Sequence, residues 1–200
     1  KLTAVSQTAA LTCQSNRFID NSSNAMTITA NGSPSIQHFT PFAPTAAYST
    51  ATYGGSAYFD GSSYLSIPNN SAFTFGAPSG NTNDFSIEFW CYPTVTTIIS
   101  PFGTLYNQTN YWSFGLNRRG SDGANIAGYV NFYITDSFYI ETTSGLIANQ
   151  WNHIAAVRTG TTVSLFVNGT TKATGTSSLD PSVTGALELG KSSILNRPLT

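Results

Sequence analysis

Two hundred residues carry only 8 Lys+Arg and 9 Asp+Glu, a charged fraction of 8% and a formal net charge of −1, against ~25% charged in ordinary globular domains. Without a basic surplus to neutralise phosphates, a nucleic-acid partner and a polybasic membrane-surface site are excluded. Hydrophobic residues at 40% and aromatics at 13% exclude charge-driven disorder, and no apolar run reaches the ~18–20 residues of a membrane span. Ser, Thr, Asn and Gly replace charge as the solubilising groups. That composition is a habit of extracellular and virion-surface β-proteins, so a virion or extracellular, cell-surface location is expected. The length fits one large domain, residues 1–200. The first residue is Lys1 rather than Met, which reads as an excised piece.

Residues 1–45 read as opening strands and an arm. Ile19-Asp20-Asn21-Ser22-Ser23-Asn24 is a turn cluster, residues 26–30 form a short strand, and Asn31-Gly32-Ser33-Pro34 is another turn. Pro41 and Pro44 keep the next stretch extended, and Phe18, Phe39 and Phe42 are placed to pin it onto a sheet edge. Residues 58–67 read as a strand, a tight turn at Asp60-Gly61 and a second strand stopped by Pro68. From Asp84 to Tyr92 apolar and polar residues alternate cleanly until Pro93. Residues 112–116, 129–134, 154–158, 163–167 and 186–189 repeat the period of two. Asn168-Gly169 suits the positive φ angles of a two-residue type I′ hairpin. Short stretches such as 147–150 are the only helical signals. Strands about 8–12 residues apart with polar turns between them predict an antiparallel sandwich.

Two cysteines are too few for a disulfide framework. Cys91 alternates with Phe85, Ile87 and Phe89, which reads as a small buried thiol; a Cys13–Cys91 bridge is the other reading.

Five stretches in order resemble a known family: Tyr58-Phe59-Asp60-Gly61-Ser62-Ser63-Tyr64-Leu65-Ser66-Ile67, residues 84–93, Trp151-Asn152-His153-Ile154-Ala155-Ala156-Val157-Arg158, Val163-Ser164-Leu165-Phe166-Val167-Asn168-Gly169 and Leu187-Glu188-Leu189-Gly190. They resemble a laminin-G-like domain of the concanavalin A-like lectin/glucanase superfamily. Residues 11–22 are similar to the version found in structural proteins of marine tailed phages and related metagenomic sequences. The resemblance implies an all-β, concanavalin A-like jelly-roll sandwich of two antiparallel sheets. It also implies a closing strand that should begin near Asn196-Arg197-Pro198-Leu199-Thr200, so a truncated fragment is expected, with the gap tolerated or filled by a neighbouring chain.

Hydrolases of this superfamily need two carboxylates on one strand face, ~5–5.5 Å apart for retention. Here Glu88 stands with Trp90 in the place of the next same-face carboxylate, and Glu188 has apolar neighbours. His38 and His153 are the only histidines, and no Gly-x-Ser-x-Gly elbow is present. His153 reads as an imidazole hydrogen-bonded within the sandwich. A catalytic role is therefore not expected, and glycan hydrolysis is the least favoured alternative. Binding fits better. Glu88, Trp90 and Tyr92 oppose an apolar face, as do Tyr111, Ser113 and Asn117, and Tyr129, Asn131 and Tyr133. If these strands share the concave sheet, they form one surface of aromatic rings and amides suited to a glycan. The predicted ligand-binding set is thus Glu88, Trp90, Tyr92, Tyr111, Asn117, Tyr129, Asn131 and Tyr133. Calcium is the one candidate cofactor, because many relatives hold it at the sandwich rim, where Asp60, Asp84 and Asp122 could offer oxygens. The leading function is a non-catalytic carbohydrate-binding or adhesion module. The alternative is a decoration or tail module whose partners are other virion or surface proteins.

Overall fold

Strict alternation in the chain sends every second side chain inward, and the computed structural model shows what those side chains meet. It describes residues 2–42, 53–75, 84–94, 99–107, 110–135, 137–182, 185–192 and 197–198. The strands are β1 (Thr29–Asn31), β2 (Ser35–Gln37), β3 (Ser56–Tyr58), β4 (Tyr64–Ile67), β5 (Phe85–Cys91), β6 (Ile99–Asn107), β7 (Asn110–Arg118), β8 (Asn125–Ile134), β9 (Phe138–Glu141), β10 (Asn152–Thr159), β11 (Thr162–Val167), β12 (Thr170–Thr176), β13 (Leu187–Leu189), β14 (Lys191–Ser192) and β15 (Arg197–Pro198). They form a seven-stranded sheet in the order β1-β4-β13-β6-β7-β8-β9 and a four-stranded sheet in the order β12-β11-β10-β5. Two small ladders, β2-β3 and β14-β15, accompany them. This is the expected all-β jelly-roll sandwich.

The core lies where the two large sheets face each other. Phe85, Ile87, Phe89 and Cys91 of β5 meet Trp112, Phe114 and Phe132 of β7 and β8. The Phe89 and Phe114 rings stand edge to face at 5.1 Å, and Phe85 lies 6.2 Å from Phe132. One cation is taken inside. Arg158 is fully buried; its guanidinium lies 4.8 Å from the Phe85 ring centroid and its Nη1 donates to the Leu179 carbonyl at 2.8 Å. Burial lowers its pKa, and the charges of Asp180 and Asp84 act in the opposite direction. Along one side the sandwich closes at Gly175 of β12, where a Cβ would come within 2.7 Å of Ile140 on β9.

The Asn168-Gly169 hairpin is as expected: both residues have positive φ, +52° and +75°, and Val167 pairs with Thr170 across the turn. The Asp60-Gly61 turn is not a hairpin. Its flanking strands separate, β3 pairing with β2 and β4 with β1 and β13. The reason lies in Asp60, whose Oδ1 accepts the amides of Ser62 and Ser63 and the Ser62 hydroxyl. Those bonds build a wide, self-satisfied corner instead of a two-residue reversal. β6 escaped sequence reading because Pro101 and two register shifts break its alternation. β12 escaped because its seven residues have no continuous apolar face. Of the residues near which the closing strand was expected to begin, Arg197–Pro198 form β15, which pairs with β14 in a small separate ladder, and residues 196, 199 and 200 lie outside the described residues.

In the opening segment the turn cluster is anchored by Asp20. Its carboxylate accepts the amides of Leu11, Ser22 and Met26 and the Ser22 hydroxyl, all within 3.0 Å. Burial alone would raise its pKa, but these hydrogen bonds outweigh it and hold the group below the ordinary value. A depressed folded pKa gives stability that is complete above the unfolded carboxylate pKa of about 3.9 and is lost as pH falls through the lower folded value. Asp20→Asn should therefore lower the urea midpoint at neutral pH, and the gap to the native chain should close in strong acid. Gly115→Ala should destabilise by about 1–3 kcal/mol in the same assay, because its Cβ would lie 2.5 Å from Asn131 Oδ1, a side chain with no exposed surface to move into.

Candidate functional site

The outward residues of β5 project from the four-stranded sheet. Register places Trp90 directly across from His153 and Glu88 across from Ala155, with Phe166 of β11 beyond. The Trp90 and His153 rings lie 5.0 Å apart, and His153 Nε2 is 3.2 Å from Glu88 Oε2. The Asn168-Gly169 turn fixes the backbone of His153 at both ends: Asn168 Oδ1 accepts its amide and the Asn168 amide donates to its carbonyl. Beside Trp90 lies an aromatic cluster. Phe42 meets Trp90 at 5.7 Å, while Phe39 packs on Tyr92 and Trp151 at 4.7 and 5.1 Å. Trp90 nevertheless keeps 38% of its surface exposed, and the Glu88 side chain keeps 58%.

The other predicted residues lie on the far side of the molecule. β5 pairs with β10, whereas β7 pairs with β6 and β8 in the seven-stranded sheet. The apolar faces of β5 and of β7–β8 pack against each other, so their polar faces point in opposite directions. The expected single surface is therefore two surfaces: Glu88, Trp90 and Tyr92 on one, and Tyr111, Asn117, Tyr129, Asn131 and Tyr133 on the other.

On that second surface Tyr111, Ser113, Asn117 and Asn131 are buried. Asn131 Nδ2 donates to the Arg118 carbonyl at 2.7 Å, and Asn117 Oδ1 accepts the Gly128 amide at 2.9 Å. The turn after β7 folds over the sheet: the Tyr133 hydroxyl donates to the Gly120 carbonyl and the Gly120 amide to Glu141 Oε2. Arg119 and Asp122 pair within the turn. Tyr139, stacked on Tyr133 at 5.4 Å, is the large ring left exposed there. The two amides expected to meet a ligand thus hold backbone, Asn131 at the entry to the turn and Asn117 at Gly128 of β8.

A family model described as the concanavalin A-like lectin/glucanases superfamily, of the Laminin G 3 type, matches residues 59–200. The chain belongs to this laminin-G-like family. Among solved structures, domain 4 of the extracellular arabinanase AbnA from Geobacillus stearothermophilus, in complex with arabinotriose, is 17% identical with a TM-score of 0.53, over 83% of this chain and 73% of that one. A structure of botulinum neurotoxin type C, whose cell entry is described as dependent upon interaction with two ganglioside molecules, is 13% identical with a TM-score of 0.59, over 96% of this chain and 42% of that one. Domains LG4-5 of the mouse laminin α1 chain are 11% identical with a TM-score of 0.50, over 71% and 37%. The laminin-G-like chain thus spans less than half of the toxin and laminin chains. No curated protein sequence matches it.

Within this laminin-G-like fold the acidic residues are dispersed. Glu88, Glu141 and Glu188 stand on β5, β9 and β13, and the last two belong to the opposite sheet, at its edge and four strands inward. The rim aspartates suggested for calcium are occupied by turns. Asp60 holds its own corner, Asp84 Oδ1 accepts the Gly160 amide at 2.7 Å, and Asp122 binds Arg119 and the Ala124 amide. Among the described residues no three His, Cys, Asp or Glu side chains come together, and no helix is long and apolar enough to cross a membrane.

Cys13 and Cys91 are free thiols, so the bridge does not form. Burial raises the pKa of Cys13 and pushes that of Cys91 up to about 12, which leaves almost no thiolate to act as a nucleophile at neutral pH. Iodoacetamide at pH 8 should leave Cys91 unlabelled in the folded protein and label it fully in urea, as read by intact mass.

Proposed function

We propose that this chain is a non-catalytic glycan-binding module whose contact surface is the outer face of the four-stranded sheet around Trp90. The observation that carries the reading is the exposed indole, met edge to face by Phe42 and set one row from an exposed carboxylate. A flat ring accepts the apolar face of a pyranose or furanose through dispersion and CH–π contact, while a carboxylate accepts from the sugar hydroxyls at its edge. Glu88 and His153 orient each other, so both polar groups are in position before a ligand arrives. The arabinotriose of the arabinanase domain and the gangliosides of the neurotoxin support a sugar as the class of ligand. Placement on a virion or a cell surface belongs to the same proposal and rests on composition and on the resemblance of residues 11–22.

A second reading has its own observation. Phe39, Phe42 and Trp90 are all more than a third exposed and touch one another's neighbours, which suits contact with another surface protein. The two readings separate on one set of measurements. Binding of a glycan array, followed by titration calorimetry on the best sugar, should weaken about tenfold or more in Trp90→Ala, a loss on the order of 1.4 kcal/mol, with the thermal midpoint within a few degrees of the native one. Silence across the array together with self-association in light scattering would transfer the assignment to the protein-contact reading.

A further inference from the structure

We infer that the Trp90 surface selects uncharged glycans over anionic ones, with Glu88 as the residue that sets the choice; this rests on the glycan-binding reading above. The outward positions of the sheet follow from register and alternation. β5 presents Ser86, Glu88 and Trp90, β10 presents His153, Ala155 and Val157, and β11 presents Ser164 and Phe166. Those eight positions hold one carboxylate and no Lys or Arg. The two cations carried by the strands of this sheet, Arg158 of β10 and Lys172 of β12, are turned elsewhere. Arg158 is buried on the inner face beneath Phe85, and Lys172 of β12 directs its Cε to within 3.3 Å of the position a Cβ would take at Gly145.

The local layout then decides what Glu88 meets. Ala155, directly opposite it, is the smallest side chain of the face and is nearly buried between Glu88 and Phe166. Glu88 therefore stands at the edge of an apolar strip with Trp90 and His153 one row along. A sugar seated on the indole brings its ring hydroxyls to the carboxylate. His153 engages Oε2, and the remaining acceptor capacity is directed to hydroxyl donors. A sulfate, a sialyl carboxylate or a uronate in the same place would set two negative charges side by side, with no guanidinium or ammonium at those eight strand positions to offset them. The scarcity of charge in the whole chain thus becomes a selectivity device at one position.

The test compares uncharged oligosaccharides (cello-, manno-, galacto- and arabino-hexasaccharides) with their sulfated or uronate counterparts, on the native chain, Glu88→Gln and Trp90→Ala. The native chain should bind its best uncharged probe at least tenfold more tightly than the anionic counterpart, and the ratio should shrink at high salt as the repulsion is screened. Glu88→Gln should bring the ratio to within about threefold of unity, chiefly by strengthening the anionic partner. Trp90→Ala should weaken both. Equal or tighter binding of anionic probes by the native chain, lost in Trp90→Ala, would overturn the selectivity and leave the platform standing. A ratio unmoved in Glu88→Gln would also overturn it. No binding of either class, or binding indifferent to Trp90→Ala, would instead remove the glycan-binding reading itself.

Discussion

Everything else in this molecule depends on the contact between the inner face of β5 and the inner faces of β7 and β8. Phe85 against Phe132 and Phe89 against Phe114 lock two pleated surfaces together. Because side chains alternate strictly along a strand, locking the odd-numbered residues of β5 inward commits Ser86, Glu88 and Trp90 to the outside. The same contact turns Tyr111, Ser113 and Asn131 away from the core on the opposite flank. A one-residue slip of β5 would bury Glu88 and expose Phe85 and Phe89. The position of the polar groups is thus a by-product of aromatic packing.

That relation explains what could be read from the chain and what could not. The period-two runs at 84–92, 112–116, 129–134, 154–158 and 163–167 each correspond to a strand, and for the first three the apolar face expected from alternation is the inward one. Alternation, however, says which residues share a face of one strand and nothing about which strands share a sheet. Treating Trp90 and Tyr133 as neighbours required the second kind of information, which resides in the pairing of β5 with β10 rather than with β7 or β8. His153 was visible beside Trp151 in the family's motif and was read as held within the sandwich. Its partnership with Glu88 across the ladder becomes visible only once the register is known. Phe39 and Phe42 were expected at a sheet edge, and they are found against Tyr92 and Trp90.

The amides on the seven-stranded sheet teach a related lesson. Asn117 and Asn131 have the chemistry of sugar-binding residues, and nothing in their local sequence distinguishes that use from another. What decides is the backbone beside them: Asn131 Nδ2 donates to the Arg118 carbonyl and Asn117 Oδ1 accepts the Gly128 amide, while the turn at residues 119–124 folds over Tyr133. Asp60, Asp20 and Asp122 behave alike. In a chain with so few charges, most described carboxylates are consumed in holding corners. Glu88 differs in facing solvent from the middle of a strand and pairing with a side chain of the neighbouring strand, His153.

The arm segment that carries Phe39 and Phe42 has a consequence for how the protein comes to be competent. Phe39 touches Trp151, more than half the chain away, and Phe42 touches Trp90. The Trp90 surface therefore draws on three stretches that only the finished topology unites, a feature of high contact order and of late, slow assembly. A nascent or partly unfolded chain would display its aromatic rings without arranging them. The capacity to recognise a ligand would then arise in a single step with the last long-range contacts, and its appearance during refolding would mark completion of the fold.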